Sequence, residues 1–143
     1  MGHFFRPSAL VPQGFVADSI ENGDAIVRIV IPAKSSVSCC PACGRISGRV
    51  HSRSPRRLAD LPLSGKSVQL ILIARRFHCD AVLCGRRIFT ERYGEGVLAP
   101  WARRTGRLDH LVHHLGIALG GRPAASFARR LMVPVSKDTL LRS

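Results

Sequence analysis

The 143-residue chain is 45% apolar, too much for a disordered tail and enough for one domain or two small ones that each need help to stay folded. One Trp and one Tyr predict a core that is mostly aliphatic. Twenty-two Lys and Arg against nine Asp and Glu give a charge of +13, which points to a polyanionic partner, and no apolar run is long enough to span a membrane. The lysines are only Lys34, Lys66 and Lys137; the rest of the positive charge is arginine, the better fork for phosphate and guanine edges. The N-terminus lacks the basic start and long apolar core of a signal peptide, so a cytoplasmic chain is expected, in which closely spaced cysteines serve a metal rather than disulfides.

Residues 15–31, "FVADSIENGDAIVRIVI", predict a hairpin around the Asn-Gly turn signal. A loop then leads into the cysteine turn "CCPACG". "RISGRVHSR" reads as a short basic strand, and "RRLADLPLSGKSVQLILIARRFHC" as two strands around Ser64-Gly65. The apolar run Leu70 to Ala74 predicts that the second of these is buried on both faces. "GRRIFTERY" is a last short strand. The period then changes to helical: Trp101, Leu108, Val112, Leu115 and Leu119 form one stripe, with Thr105 between and Gly120-Gly121 as the stop. Pro123 suits the first turn of a second helix ending near Leu131, "MVPV" is a turn, and Ser136 is an N-cap for a third helix. The expected fold is α+β: a β-rich module followed by a small helical one, with segments 1–36 (hairpin), 37–93 (cysteine module) and 100–143 (helices). Charge follows this division. Residues 1–36 balance three basic against three acidic side chains, 37–93 carry eleven against three, and 94–143 eight against three.

Cys40 and Cys43 form C-x2-C, and Cys79 and Cys84 form C-x4-C after 35 intervening residues. Four thiolates satisfy a tetrahedral zinc ion with no open position, so such a site is structural, and the layout is that of a zinc ribbon. Free buried cysteines and a disulfide are the alternatives. Cys39 stands outside the paired spacing, and its replacing Cys40 as a ligand through a one-residue shift of the turn is the alternative. Among the histidines, His78 is expected on the opposite strand face from Cys79, His51 toward solvent or nucleic acid, and His113 and His114 on the helix surface. The second and third helices suggest a helix-turn-helix, with Ser136, Lys137, Thr139 and Arg142 at the start of a recognition helix and Leu140 and Leu141 packing back.

The motifs "CPACGRISGRVHSRSPRRLADLPLSG", "RRFHCDAVLCGRRIFTER" and "GRPAASFARRLMVPVSKDTLLR" together resemble the N-terminal region of bacterial insertion-sequence transposases of the ISL type, over residues 15–143. Members of that group carry an N-terminal zinc finger, a helix-turn-helix and a DDE catalytic domain. The resemblance implies that Cys40, Cys43, Cys79 and Cys84 hold one structural zinc ion, and that both modules bind double-stranded DNA at the element's terminal inverted repeats. Arg49, Arg53, Arg56, Arg57, Arg75, Arg76, Arg86 and Arg87 are the expected DNA contacts of the first module, and Arg129, Arg130, Ser136, Lys137, Thr139 and Arg142 those of the second. Strand alternation lets at most one each of Arg75-Arg76 and Arg86-Arg87 face the same DNA. Asp60, Asp80 and Asp109 form no plausible catalytic triad, so the chain is expected to bind DNA without catalysing transfer. A nucleoid-associated protein that partners transposon ends, the full-length transposase or itself is the expectation. A regulator of transposition, or a non-functional truncated fragment, is the alternative.

Overall fold

A computed structural model describes residues 7–133 of the protein; the third-helix reading, with Ser136, Lys137, Thr139 and Arg142, lies outside them. After a 3-10 turn at Pro7–Leu10, the strands are β1 (Ser19–Asn22), β2 (Ile26–Ile31), β3 (Ser38–Cys39), β4 (Ile46–Ser47), β5 (Val50–Leu63), β6 (Lys66–His78) and β7 (Ile88–Thr90). Two helices follow, α1 (Gly106–Leu119) and α2 (Gly121–Arg130).

The spine is the long β5–β6 hairpin. Its two-residue turn needs positive φ at both positions, which Ser64 (51°) and Gly65 (73°) supply, so the strands' right-handed twist continues through it. The basic strand expected to be short extends through "RRLADLPL" as one 14-residue β5. β5 occupies one edge of β6, and the other edge is shared: β2 pairs parallel with residues 67–72, and β7 antiparallel with residues 76–78. β1 pairs antiparallel with β2, so the predicted N-terminal hairpin forms and continues the same sheet.

One face of that sheet is the main core. Val27, Ile29, Ile31, Leu58, Val68, Leu70 and Leu72 are buried there beneath Val11, Phe15 and Leu98. The opposite face is only half covered, since Gln69, Ile71 and Ile73 of β6 are half-buried. The expectation of a strand buried on both faces therefore fails on one of them. The run Leu70 to Ala74 alternates core with partial cover, because among the described residues no layer comparable to the first core packs on that side.

The helical stripe is shorter than its period suggested. Trp101 lies before α1 with φ 64° and is 90% exposed, and Leu119 is exposed, which leaves Leu108, Val112 and Leu115. Thr105 is not a stripe residue but the N-cap, its hydroxyl accepting from the Leu108 N–H at 3.4 Å. Gly106 follows because the Gly96 carbonyl would sit 1.8 Å from any Cβ there. A buried polar group ties this end of α1 to the sheet. The Asp60 carboxylate on β5 accepts from Thr105 Oγ1 at 2.6 Å and from Arg107 Nε at 2.8 Å, and Arg107 also donates to the Leu10 carbonyl at 2.9 Å. Gly120 alone separates the helices. Ala124, Ala125 and Ala128 of α2 close on Leu108 and Val112, with Pro123 in the first turn as predicted.

Candidate metal centre and basic surface

The four paired cysteines meet at one end of the spine. β3 and β4 close a small hairpin around the first knuckle, where the Cys40 N–H donates to the Arg45 carbonyl at 2.9 Å and the Gly44 N–H to the Cys40 carbonyl at 2.8 Å. The second knuckle leaves the end of β6 and returns into β7, pinned by Cys79 N–H to the Arg87 carbonyl at 2.8 Å and Cys84 N–H to the Ala81 carbonyl at 3.2 Å. Phe77 and Phe89 stack with ring centroids 5.7 Å apart and pack with Cys40 in a small core under the site.

The sulfur geometry tests the donor set. Tetrahedral zinc with Zn–S bonds of about 2.3 Å sets its sulfurs about 3.8 Å apart. Cys40 and Cys84 Sγ are 3.9 Å apart, Cys43 and Cys79 Sγ 3.5 Å, and all four lie within 4.8 Å of one another. They fit one structural zinc ion, which would leave no position open for chemistry. Among the described residues no other group gathers three such donors. Cys39 is exposed and paired with Ile46 across the β3–β4 ladder, outside the quartet. His78 likewise stays out of it, edge-on to His51 with centroids 5.0 Å apart.

Proton affinities in the quartet are split. Burial pushes the Cys40 thiol up, but the Cys43 and Ala42 N–H groups, with the Cys79 and Cys43 side chains, outweigh it and bring it down to about 7. For Cys79 the Ala81 N–H acts downward, but burial and the neighbouring thiols prevail and push it up to about 12. Cys84 is also raised, the Arg86 N–H opposing burial and the Cys43 and Cys40 thiols. Zinc takes cysteine as the thiolate, so metal uptake by these thiols releases protons.

Around this end and along the sheet, the predicted arginines separate by environment. Arg53, Arg57, Arg76, Arg86, Arg87, Arg129 and Arg130 are exposed and form no ion pair among the described residues. Arg49 is exposed but paired with Asp80. Arg56 is half-buried and donates to the Ala102 carbonyl. Arg75 points inward: its Nε and Nη2 hold the Glu91 carboxylate at 2.9 and 2.5 Å, Nη2 reaches the Ser35 carbonyl at 2.6 Å, and its guanidinium lies 4.9 Å from the Phe77 ring centroid. Alternation therefore separates Arg75 from Arg76 as expected. It does not separate Arg86 from Arg87, because both precede β7 in the knuckle loop, where no pleat operates. Exposed Arg45, Arg92, Arg103 and Arg122 extend the basic surface beyond the predicted set; Arg45 could have been found from its place inside the first knuckle. Val82 and Leu83, between the third and fourth cysteines, are 96% and 100% exposed.

Residues 36–84 match the family described as the zinc-finger of transposase IS204/IS1001/IS1096/IS1165. That stretch holds both knuckles and the β5–β6 spine between them. No curated protein and no solved structure matches the chain. The cysteine quartet thus lies in a stretch that matches a transposase zinc finger, and a nucleic-acid-binding role is consistent with it.

Proposed function

We propose that this chain is the DNA-binding part of an insertion-sequence transposase and recognises the element's terminal inverted repeats. One observation carries the reading. In a stretch matching a transposase zinc finger, four thiols converge at tetrahedral spacing on the end of a sheet where exposed Arg53, Arg57, Arg76, Arg86 and Arg87 have no carboxylate partner among the described residues. The metal would act by holding the two knuckles in register, so that Arg45, Arg86 and Arg87 approach a duplex from a fixed frame, while Arg53 and Arg57, both on one face of β5, follow the backbone. The fully exposed Val82 and Leu83 stand in the same rim, where a groove would cover them. Arg129 and Arg130 extend the contact from α2, and Ser136, Lys137, Thr139 and Arg142 supply base readout. Asp60 is held by Arg107, Asp80 by Arg49 and Asp109 by Arg104, which supports a binding role for the regions around them.

The test is a binding isotherm of the zinc-loaded chain on a duplex bearing the inverted repeat and on a scrambled duplex, across a salt series. Tighter binding to the repeat at every salt concentration is expected. Arg57→Ala, Arg86→Ala and Arg87→Ala should each flatten the log K against log salt slope by about 0.9 per lost phosphate contact. Equal affinity for both duplexes throughout would overturn the reading.

A further inference from the structure

Three of the six histidines fall between residues 110 and 114, and the metal centre uses none of them. Of these, His110 and His114 are exposed and His113 is half-buried. We propose that His110 and His114 form a second metal site, a two-imidazole chelate for a borderline divalent ion of the zinc and copper class.

Four residues apart on α1, the two side chains stand one turn apart on one face. Their Nε2 atoms are 3.1 Å apart and their rings meet edge-on with centroids at 4.3 Å. An ion at 2.0–2.1 Å from each nitrogen would see them at an angle of about 98°. That lies between the right angle of a square-planar or octahedral site and the wider tetrahedral one, so either geometry accepts the pair with small rotations. Both residues are exposed, so an ion enters without opening the core.

Local charge also allows it. In a chain of +13, residues 108–121 contain no Lys or Arg and one carboxylate, Asp109. The nearest preceding arginines on the helix side are engaged, Arg107 with Asp60 and Arg104 with Asp109. His113 is not a third ligand: its ring centroid is 5.8 Å from that of His114, and among the described residues only the cysteines bring three donors together. With two protein ligands the remaining positions go to solvent, which makes this site weaker and more exchangeable than the thiolate one. A hydrogen bond between the two imidazoles is the competing account of the 3.1 Å approach, and it binds no ion.

Zinc titration of the full chain, already holding one equivalent in its cysteines, separates the two by calorimetry. A second equivalent is expected in the parent, with a rise in unfolding temperature as α1 is clipped. His110→Ala and His114→Ala should each stop at one equivalent and lose that rise, whereas His113→Ala should bind two. If an alanine variant loses its helical circular dichroism, His110→Gln and His114→Gln replace it. Saturation of the parent at one equivalent, or a second equivalent surviving in the His110 and His114 variants, overturns the site.

Discussion

Arg75 reads in the sequence as one more phosphate contact, and its surroundings give it a different task. Its side chain is 12% exposed and that of its partner Glu91 4%. The pair is bidentate, and the carboxylate hydrogen bond is the leading reason the Arg75 guanidinium holds its proton more tightly than usual. Arg75→Ala would leave a buried carboxylate with no donor, and breaking such a pair from one side costs about 3–5 kcal/mol. That is a large share of the roughly 5–15 kcal/mol that holds a domain together. With a urea m-value near 2 kcal/mol per molar, the melting midpoint should fall by about 2 M. Arg76→Ala, one residue along and exposed, should change stability by no more than about 0.5 kcal/mol while flattening the salt slope of DNA binding by about 0.9. The double variant Arg75→Met with Glu91→Leu should regain most of the loss, since removing both charges leaves none stranded. Urea melts and salt-series binding on the same preparations decide it. If Arg75→Ala melts with the parent and flattens the salt slope as Arg76→Ala does, the inward assignment is wrong.

Other consequences can be measured alongside. Structural zinc contributes about 10–16 kcal/mol in small metal-held modules, as much as the whole stability of a domain, so Cys84→Ser should lose the metal and unfold the cysteine module, while Cys39→Ser keeps both; retained zinc in Cys84→Ser would refute the quartet. Asp60→Asn removes the buried negative charge and turns one of the two oxygens that accept from Thr105 and Arg107 into a donor, and should cost about 3 kcal/mol, the low end for a buried pair because Arg107 is one-third exposed, with zinc content unchanged. Tyr93 is the only tyrosine, and its hydroxyl is buried without a hydrogen-bond partner among the described residues; burial first, then Glu91, pushes it up to about 12. The folded state therefore keeps this proton longer than the unfolded chain, which releases it near pH 10, so this residue's contribution to stability is intact below about pH 10 and falls as pH rises from there toward 12. Tyrosinate absorbance should rise near pH 12 in the native protein and near pH 10 in urea; a native rise near 10 would contradict the buried hydroxyl.

The parts of the fold that were legible in the sequence are those governed by neighbours in the chain. Asn22-Gly23 and Ser64-Gly65 mark hairpins because a turn needs particular φ values, and Pro123 and Gly120 mark helix ends for the same kind of reason. The C-x2-C and C-x4-C spacings announce two knuckles because a tight turn fixes where its sulfurs point. Trp101 misled because a helical period continued backward through Thr105, and the period alone does not show that a threonine hydroxyl can cap and end it.

Sequence alone marked the two cysteine knuckles, the two hairpins and the basic character of the chain, all of them consequences of residue type and short spacing; that Cys40 and not Cys39 joins the group came from the structure. Tertiary structure decided the use of each charge. Burial against Glu91 turned Arg75 into a strut, Asp60 gathered Thr105 and Arg107 from 45 and 47 residues away, and the half-covered face of β6 left Ile71 and Ile73 only partly buried. An arginine has the same intrinsic chemistry at every position. Whether it binds an outside anion depends on whether folding brings it an inside one, and that depends on distant segments that no local pattern records.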